Sequence, residues 1–560
     1  MTLKPKRGAR VLRSSLVVLL LCLAAALTCQ AERSERRVDA WRPTSYDVAL
    51  VFNDQLTEIT SARADISLLV LKNSVGVIDL DFGEMSVESV NVGGAAARFE
   101  QAQGKLNVTL NSMARQGQRL TVSVKYHGRP KDGLVFAPDK DGRPSATGDN
   151  WPDRVHHWIP CLDHPSAKAT ARFTVTAPAR DLVVANGQLT ARHDNPDNTR
   201  TWIYAEGAPI PPYCMIVAVG EYALFEPQPR PSLTPLFYYV PQADRQFAER
   251  GFAPGAPSLE LFSQTVAPYP YEKLALIVGA TRYGGMENSS AIVFGSTIFD
   301  ARDDAQPLSR RYNIRRGIEE TVAHEIAHQW FGDSVTEATW SDLWLSEGFA
   351  TYFAGLFVER YEGQEAFRDY MKRDAEAYFR YEKERRAPIF DPDTEDLNKL
   401  LNANNYQKGG WVLHMLRSQL GDEVFFRGIR AYYEAHKNST ATTEDLRAAL
   451  ERAGRTSLRD FFARWVYGSG HPIYAPTWTW RATGKRGGVL TINLRQTQTE
   501  AAFNNPLPVE ILLPTGKTRT LIKPTSKATV KRVPLAERPT DVRFDPDETI
   551  LKEVVAAATP

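Results

Sequence analysis

The chain has 560 residues, which is long enough for roughly two to four domains with a sizeable buried core. Its composition, 43% hydrophobic and 24% charged with 35 Pro and 36 Gly spread along the sequence, is that of a globular protein and excludes a largely disordered one. The formal net charge is only +2, and no basic patch indicates binding to nucleic acid.

Residues 1–31 have the layout of a signal peptide, because five basic residues between Lys4 and Arg13 precede an apolar run from Leu16 to Cys29. The run has about 14 residues, fewer than the roughly 20 needed to span a bilayer. We expect cleavage after Ala31, which leaves no stable membrane span and an exported mature chain with a net charge of −3. That chain is periplasmic, secreted or at the cell surface. A lipid anchor on Cys29 and an uncleaved anchor are weaker alternatives.

Two cysteines, Cys161 and Cys214, remain after the leader. They could form a disulfide in an oxidising compartment, or they could be two buried free thiols. The sequence leaves both alternatives open.

The patterning predicts a multidomain α+β fold with three domains after the leader. An antiparallel all-β domain is predicted over residues 40–230, a mostly helical domain over 231–470 and a small β-sandwich over 475–555. Short runs of alternating apolar and polar residues carry the two β predictions. The predicted strands are Tyr46–Phe52, Ala64–Leu71, Leu120–Tyr126, Ala171–Thr176, Met215–Val219, Val489–Leu494, Val509–Leu513 and Ala528–Val533.

Longer segments between the two β regions have helical spacing. Apolar residues recur once per turn from Ile318 to Trp330, and two further helices are predicted over Trp411–Leu420 and Leu446–Trp465. Gly421 is a plausible stop for the second helix. The segment 442–445, Thr-Thr-Glu-Asp, resembles a capping box that starts the third.

The sharpest chemical signal is His-Glu-x-x-His at residues 324–328 within the first of these helices. Because residues four apart share a helix face, His324 and His328 can bind one zinc ion through neutral imidazoles. Glu325 lies next to the metal, where it can take a proton from the water that attacks a carbonyl carbon. The alternative is a helix with two incidental histidines, which the apolar surroundings and a total of only ten His disfavour.

A catalytic zinc needs a third protein ligand and one open position. Glu347 follows His328 by 19 residues, in Trp-Leu-Ser-Glu-Gly-Phe-Ala. A lone Glu on a helix is usually solvated, but these apolar neighbours imply burial, and a buried carboxylate needs a partner. Glu347 is therefore the predicted third ligand of a single zinc ion, carried on a helix that returns against the first.

At this point the sequence resembles the zinc aminopeptidase family of aminopeptidase N and leukotriene hydrolase, the gluzincins with a thermolysin-like catalytic domain. The block 324–352 keeps the family's order of zinc helix, Trp-Phe-Gly and Trp-Leu-x-Glu-Gly-Phe-Ala, and Tyr283–Asn288 resembles its exopeptidase motif. Weaker matches at Pro160–Pro165 and Trp465–Pro472 extend the resemblance over about 150–475. Two motifs at the right separation make a chance match very improbable.

The resemblance implies roles for several further residues. Glu287 would bind the free α-amino group of the substrate, so that the first peptide bond reaches the zinc. Gly284 and Gly285 would let an edge of backbone approach the substrate. Tyr406 matches the family tyrosine whose hydroxyl stabilises the tetrahedral intermediate. The remaining motif residues, Met286 and Asn288, are candidate substrate contacts.

The sequence also departs from the family pattern. The segment 149–152, Asp-Asn-Trp-Pro, has no Gln where the family has one for binding the first residue or its amine. The larger relatives end in a long helical domain, whereas here a sandwich of about 80 residues follows, so we expect a more open cleft that admits longer peptides. Trp330, Trp340 and Trp344 could line the pocket, but core packing is the better interpretation.

The prediction is an exported zinc metallo-aminopeptidase that removes the N-terminal residue of peptides with zinc-activated water, and its partners are peptides with a free N-terminus. The alternatives are a zinc endopeptidase with an open cleft and a catalytically silent binding or scaffold protein of the same fold. Epoxide hydrolysis of the leukotriene type would need a lipid-shaped apolar pocket that the sequence does not locate.

Overall fold

A computed structural model describes residues 35–36, 38–227, 234–300, 308, 310–311, 313, 315–483 and 487–555. The predicted leader and its cleavage point after Ala31 lie outside the described residues. Within the described ranges, no helix is both long enough and apolar enough to cross a bilayer.

The N-terminal domain is built from three sheets with strand orders β13-β14-β11-β1-β2-β8-β4-β5, β12-β15-β10-β9 and β3-β7-β6. Its strands are β1 (Trp41–Phe52), β2 (Ile59–Val70), β3 (Val75–Asp81), β4 (Ser86–Val92), β5 (Ala95–Ala96), β6 (Arg98–Ala102), β7 (Lys105–Ala114), β8 (Arg119–Gly128), β9 (Leu134–Pro138), β10 (Pro144–Gly148), β11 (Ala169–Pro178), β12 (Leu182–Ala185), β13 (Gln188–Asp194), β14 (Thr199–Ile210) and β15 (Val217–Gly220).

Alternation fixes the register of the largest of these sheets. Tyr46 pairs with Ile66 and Val48 with Ala64 across the antiparallel β1 and β2, and all four side chains are buried. A shift by one residue would turn them to the solvent. The alternating pattern that predicts these strands is thus the pattern that packs them.

The central domain combines a five-stranded sheet with nine described helices. The sheet order is β16-β17-β18-β20-β19, and β17, β18 and β20 run parallel. Its strands are β16 (Ala223–Phe225), β17 (Leu236–Val240), β18 (Leu274–Gly279), β19 (Gly285–Met286) and β20 (Ala291–Gly295). The helices are α1 (Ala248–Gly251), α2 (Gly255–Thr265), α3 (Arg316–His328), α4 (Trp344–Glu362), α5 (Gln364–Glu384), α6 (Gly409–Leu420), α7 (Asp422–His436), α8 (Thr443–Gly454) and α9 (Arg459–Trp465).

The predicted helix boundaries are partly corrected. Helix α6 ends at Leu420 before Gly421, which has a φ of 80°, and Thr442 forms a capping box with Asp445 at the start of α8. The single helix predicted over Leu446–Trp465 is wrong, because Arg455 adopts a left-handed conformation with a φ of 49° and separates α8 from α9. A left-handed residue is a common helix end.

The C-terminal strands form two small sheets with orders β27-β24-β23-β29 and β26-β25-β28, and two strands β21 and β22 pair within the helical domain. These strands are β21 (Val335–Glu337), β22 (Ser439–Ala441), β23 (Ile473–Ala482), β24 (Gly488–Gln496), β25 (Leu507–Leu513), β26 (Gly516–Ile522), β27 (Ala528–Leu535), β28 (Asp541–Phe544) and β29 (Glu553–Val554). One apolar core joins the sandwich to the helices, with Trp465 against Phe503 at a centroid distance of 4.7 Å. The predicted multidomain α+β architecture is confirmed, but the N-terminal domain is not wholly antiparallel as predicted, because β1 and β11 pair in parallel.

Lys168 connects the N-terminal domain to the loop after α3. Its Nζ donates to the backbone carbonyls of Asp333 and Ser334, both at 2.7 Å, and to the hydroxyl of Thr336 at 2.9 Å. These acceptors follow His328 by five to eight residues. The contact therefore fixes residues 333–336, the segment that follows the helix with the predicted metal ligands.

Replacing Lys168 by Met tests this connection. We expect K168M to lower the free energy of unfolding by about 2 kcal/mol, because buried carbonyls lose their donor. Chemical unfolding followed by tryptophan fluorescence measures the loss. The matched variant K125M changes an exposed lysine on β8 and should unfold as the wild type does. Equal midpoints for K168M and K125M would show that the contact does not stabilise the fold.

Candidate metal centre and substrate cleft

Two packed helices bring the predicted ligands together. Helix α3 carries His324 and His328 on one face, and α4 returns against it with Glu347 in its first turn. Helix α4 is buried along most of its length, so its amphipathic pattern is lost and its carboxylate faces protein rather than solvent. Glu347 is 4% exposed, which confirms the burial inferred from its neighbours.

Three side-chain atoms converge at the helix contact. Nε2 of His324 lies 3.1 Å from Nε2 of His328, and each lies 3.3 Å from Oε2 of Glu347. Four ligands placed tetrahedrally at zinc–nitrogen distances of about 2.0 to 2.1 Å are separated by about 3.3 to 3.4 Å. The triangle thus has the size of one face of a zinc coordination tetrahedron.

Hydrogen bonds around the triangle leave lone pairs pointing inward. Nδ1 of His328 lies 3.1 Å from the carbonyl oxygen of Phe331 and 3.0 Å from Oγ of Ser346, so the proton of a neutral ring is placed on Nδ1. Nε2 then presents a lone pair. Within the described part of the chain, Oε2 of Glu347 is buried and has no hydrogen-bond partner. Lone pairs at this separation repel one another unless a cation lies between them, so the residues fit a bound metal.

Two more carboxylates surround the triangle. Glu287 and Glu325 have carboxylate oxygens that lie within 4.8 Å of each other and of a ring nitrogen of His328. Burial is the largest cause of the raised pKa of both groups, which reaches about 7 for Glu287, and the negative charge of Glu347 adds to it. A carboxyl group with a pKa near neutrality can exchange protons during a reaction.

Strand β19 forms the edge of the central sheet beside α3. A Cβ added to Gly285 would lie 2.3 Å from the carboxyl carbon of Glu325, so any larger residue here would displace that carboxylate from its present position. Gly284 has no atom within 4 Å of such a Cβ and borders open space. The structure thus places Gly285 against the predicted base, while Gly284 leaves room in the cleft.

The loop after β19 is fastened to α3 by Gln329. Its Nε2 donates to the carbonyl of Glu287 at 2.9 Å, and its Oε1 accepts from the backbone N–H of Ser290 at 2.8 Å. Asn288 is fully buried outside the cavity lining, so its placement differs from the predicted substrate contact. Its amide lies beside the carbonyl of Met286, where it supports the loop.

Tyr406 lies on a π-helical segment, Asn404–Lys408, next to the ligands. Its hydroxyl donates to Oε1 of Glu347 at 2.7 Å, and its ring is parallel to that of His324 with centroids 5.9 Å apart. A Cβ on Gly348 would lie 2.9 Å from the Cα of Gly409, so a glycine in α4 lets the tyrosine segment pack this closely. The hydroxyl is thereby held at the edge of the metal centre.

These groups line one cavity of about 580 Å³. It contains His324, Glu325, His328, Glu347, Tyr406, Glu287, Gly284, Gly285 and Met286 of the predicted site. Trp330, Trp340 and Trp344 are buried outside its lining, in agreement with the core interpretation.

Cys161 and Cys214 are buried free thiols, and Sγ of Cys214 donates to Asp333 at 3.2 Å.

Sequence reasoning missed several residues at this site. Trp151 lines the cavity in segment 149–152, where the family has a Gln and this chain does not. That difference from the family pattern was the signal in the sequence that could have identified Trp151. Gln329 and Ser346 lie inside the recognised block, but spacing assigns them no role. The cavity wall away from Glu287 includes Glu320 and Asp374. The sequence did not predict this wall, because the two residues lie on different helices and only tertiary packing brings them together.

Comparisons with known proteins agree with this geometry. The description "Peptidase M1 N-terminal domain" matches residues 42–214, and "Peptidase family M1 domain" matches residues 255–465. "Aminopeptidase M1" of Arabidopsis thaliana is 30% identical over 331 residues, which are 58% of this chain and 36% of that protein. "Probable aminopeptidase 1" of Saccharolobus solfataricus is 24% identical over 457 residues, 76% of this chain and 53% of that protein.

The fold is also found among solved structures. The crystal structure of an M1 zinc metallopeptidase from Deinococcus radiodurans superposes with a TM-score of 0.63 at 24% identity, over 77% of this chain and 95% of that one. The chain spans about a third to a half of the length of the two curated relatives named above. Both family domains are matched in order, and the second contains the two helices that carry the converging side chains. The chain therefore belongs to peptidase family M1.

Proposed function

We propose that this protein is a zinc aminopeptidase that removes single residues from the N-termini of peptides. The observation that carries the proposal is the triangle of His324, His328 and Glu347 with a further buried glutamate, Glu287, on one side of it. The names of the curated relatives support the same activity.

His324, His328 and Glu347 would hold the zinc ion. A bound zinc supplies Lewis-acid polarisation of the scissile carbonyl and lowers the pKa of water. The three ligands leave one side of the triangle facing the cavity, where substrate and water can enter. The Phe331 carbonyl and Ser346 keep the ring of His328 in its orientation.

Glu325 is the general base in this proposal. Its carboxylate is fixed between α3 and Gly285 and borders the cavity, so it can take a proton from the attacking water and deliver it to the leaving amine. Tyr406 would aim its hydroxyl at the oxygen that becomes negative. The hydrogen bond that this hydroxyl donates to Oε1 of Glu347 supports that role, because it places the hydroxyl beside a proposed zinc ligand.

Glu287 decides where a peptide is cut. Its carboxylate borders the cavity at the His328 end of the centre, and among the described residues no other side chain donates a hydrogen bond to it. A free α-amino group supplies the missing charge and donors. With the amine on Glu287, the first carbonyl is the one that reaches the metal, so peptides are shortened one residue at a time.

An endopeptidase is the second candidate, and the breadth of the cavity favours it. A long peptide could then pass Glu287 without placing its terminus there. Blocking the N-terminus separates the two activities, since an acetylated peptide lacks the cation that Glu287 would bind.

Metal removal gives the first test. We expect about one zinc ion per purified chain by elemental analysis, loss of arylamide hydrolysis on chelation and recovery on adding zinc. H324A and E347Q should lose the zinc, because each removes one of three ligands. A metal-free protein that stays fully active would refute the zinc proposal.

Two substitutions test the protein's own groups on aminoacyl-arylamides and on matched free and N-acetylated peptides. E325Q should lower kcat by a factor on the order of 10² to 10⁴, since the general base is lost while zinc remains bound. E287A should lower kcat/KM for free amines by a factor on the order of a hundred, as expected for one charged hydrogen bond. The exposed E376Q is the control for both. Rapid cleavage of acetylated peptides by the wild type would favour the endopeptidase.

We also propose that the protein is exported, and the basic and apolar layout of residues 1–31 supports this. Cell fractionation with N-terminal sequencing should find a mature protein that begins at Glu32, outside the cytoplasm. Recovery of the uncut chain in the cytoplasm would contradict the proposal.

A further inference from the structure

The catalytic cavity has a second acidic region, away from Glu287. Glu320 lies one turn before His324 on the same face of α3, while Asp374 and Tyr370 come from α5 and Thr351 from α4. Glu320 and His328 are eight residues apart, which is about 12 Å along a helix. Glu287 lies at the His328 end, so the metal centre separates the two acidic regions.

Asp374 is the unpaired acid of this wall. Arg373 pairs with Glu320, with an N–O distance of 2.6 Å, so these two charges compensate each other. Oδ2 of Asp374 is buried and has no hydrogen-bond partner in the described part of the chain. Burial and the charge of Glu320 raise the pKa of Asp374 to about 8, and a cation bound there would favour the ionised form.

The position of this wall fixes which part of a peptide meets it. If the amine lies on Glu287 and the first carbonyl at the metal, the chain beyond the scissile bond must continue toward the opposite end of the cavity. Hydroxyl and carboxylate groups line that end, in Thr351, Glu320 and Asp374. An apolar side chain would leave the buried carboxylate unpaired, whereas a basic one would pair with it.

We propose that Asp374, supported by Glu320, selects peptides with lysine or arginine as their second residue. This inference rests on the proposed aminopeptidase activity, since Glu287 sets the direction of the peptide. The preferred substrates are then cationic peptides whose first bond is followed by a basic side chain.

The test compares tripeptides that share a first residue and a final Gly and differ only in a central Lys, norleucine or Glu. We expect kcat/KM to be about tenfold higher for Lys than for norleucine, the effect of one favourable charge pair, and lowest for Glu. D374N should reduce the ratio of Lys to norleucine to about one. D369N removes a carboxylate from the exposed side of the same helix and should keep the wild-type ratio.

Arylamides of single residues serve as the reference because they have no second side chain. If the wild type does not cleave them, the proposed function fails. If it cleaves them without preferring Lys over norleucine in the tripeptides, only the present inference is overturned. The inference would also be overturned if D374N kept the wild-type ratio of kcat/KM for the Lys and norleucine tripeptides. It would be overturned as well if D374N changed the relative kcat/KM for Lys-arylamide and Leu-arylamide, because the wall would then contact the first residue of the substrate. The wild-type series decides the matter even if D374N does not fold.

Discussion

The convergence of Nε2 of His324, Nε2 of His328 and Oε2 of Glu347 at 3.1 to 3.3 Å from one another is the constraint on which the candidate site depends. Such an arrangement is costly in a buried place unless a cation compensates it, because the low dielectric strengthens repulsion. The fold holds it through the contact of α3 with α4 and through the hydrogen bonds of His328. The same packing that stabilises the central domain therefore preorganises a metal centre.

The electrostatics of the centre extend to its surroundings. Glu287, Glu325 and Glu347 place three carboxylates in one cavity, and burial raises the pKa of the first two. In the proposed function, one divalent cation would compensate part of this charge and a substrate amine would compensate more. The acidic surplus that would destabilise an empty site would then recognise a positively charged substrate terminus.

The sequence predicts the convergence of the three candidate ligands because their geometry is local or nearly so. His324 and His328 are one turn apart on a helix, and apolar neighbours indicated the burial of Glu347. The break at Arg455 was not predicted, because apolar spacing continues across it into α9. Trp151 and Asp374 were not predicted either, since their place in the cavity depends on how distant elements pack. The spacing of residues along one helix or strand can be predicted from the sequence, whereas the distances between residues on different elements depend on the tertiary structure.

This difference also explains how the candidate site is divided between segments that are close in the sequence and segments that are distant from them. The proposed ligands, base, tyrosine and amine-binding glutamate come from two helices, a π-helical segment and the loop after the edge strand β19, all between residues 287 and 406 and within the matched family domain. The outer walls also include side chains of α5 and Trp151 of the N-terminal domain. A change of charge on these walls removes none of the three converging groups, so substrate preference can vary while the chemistry is retained.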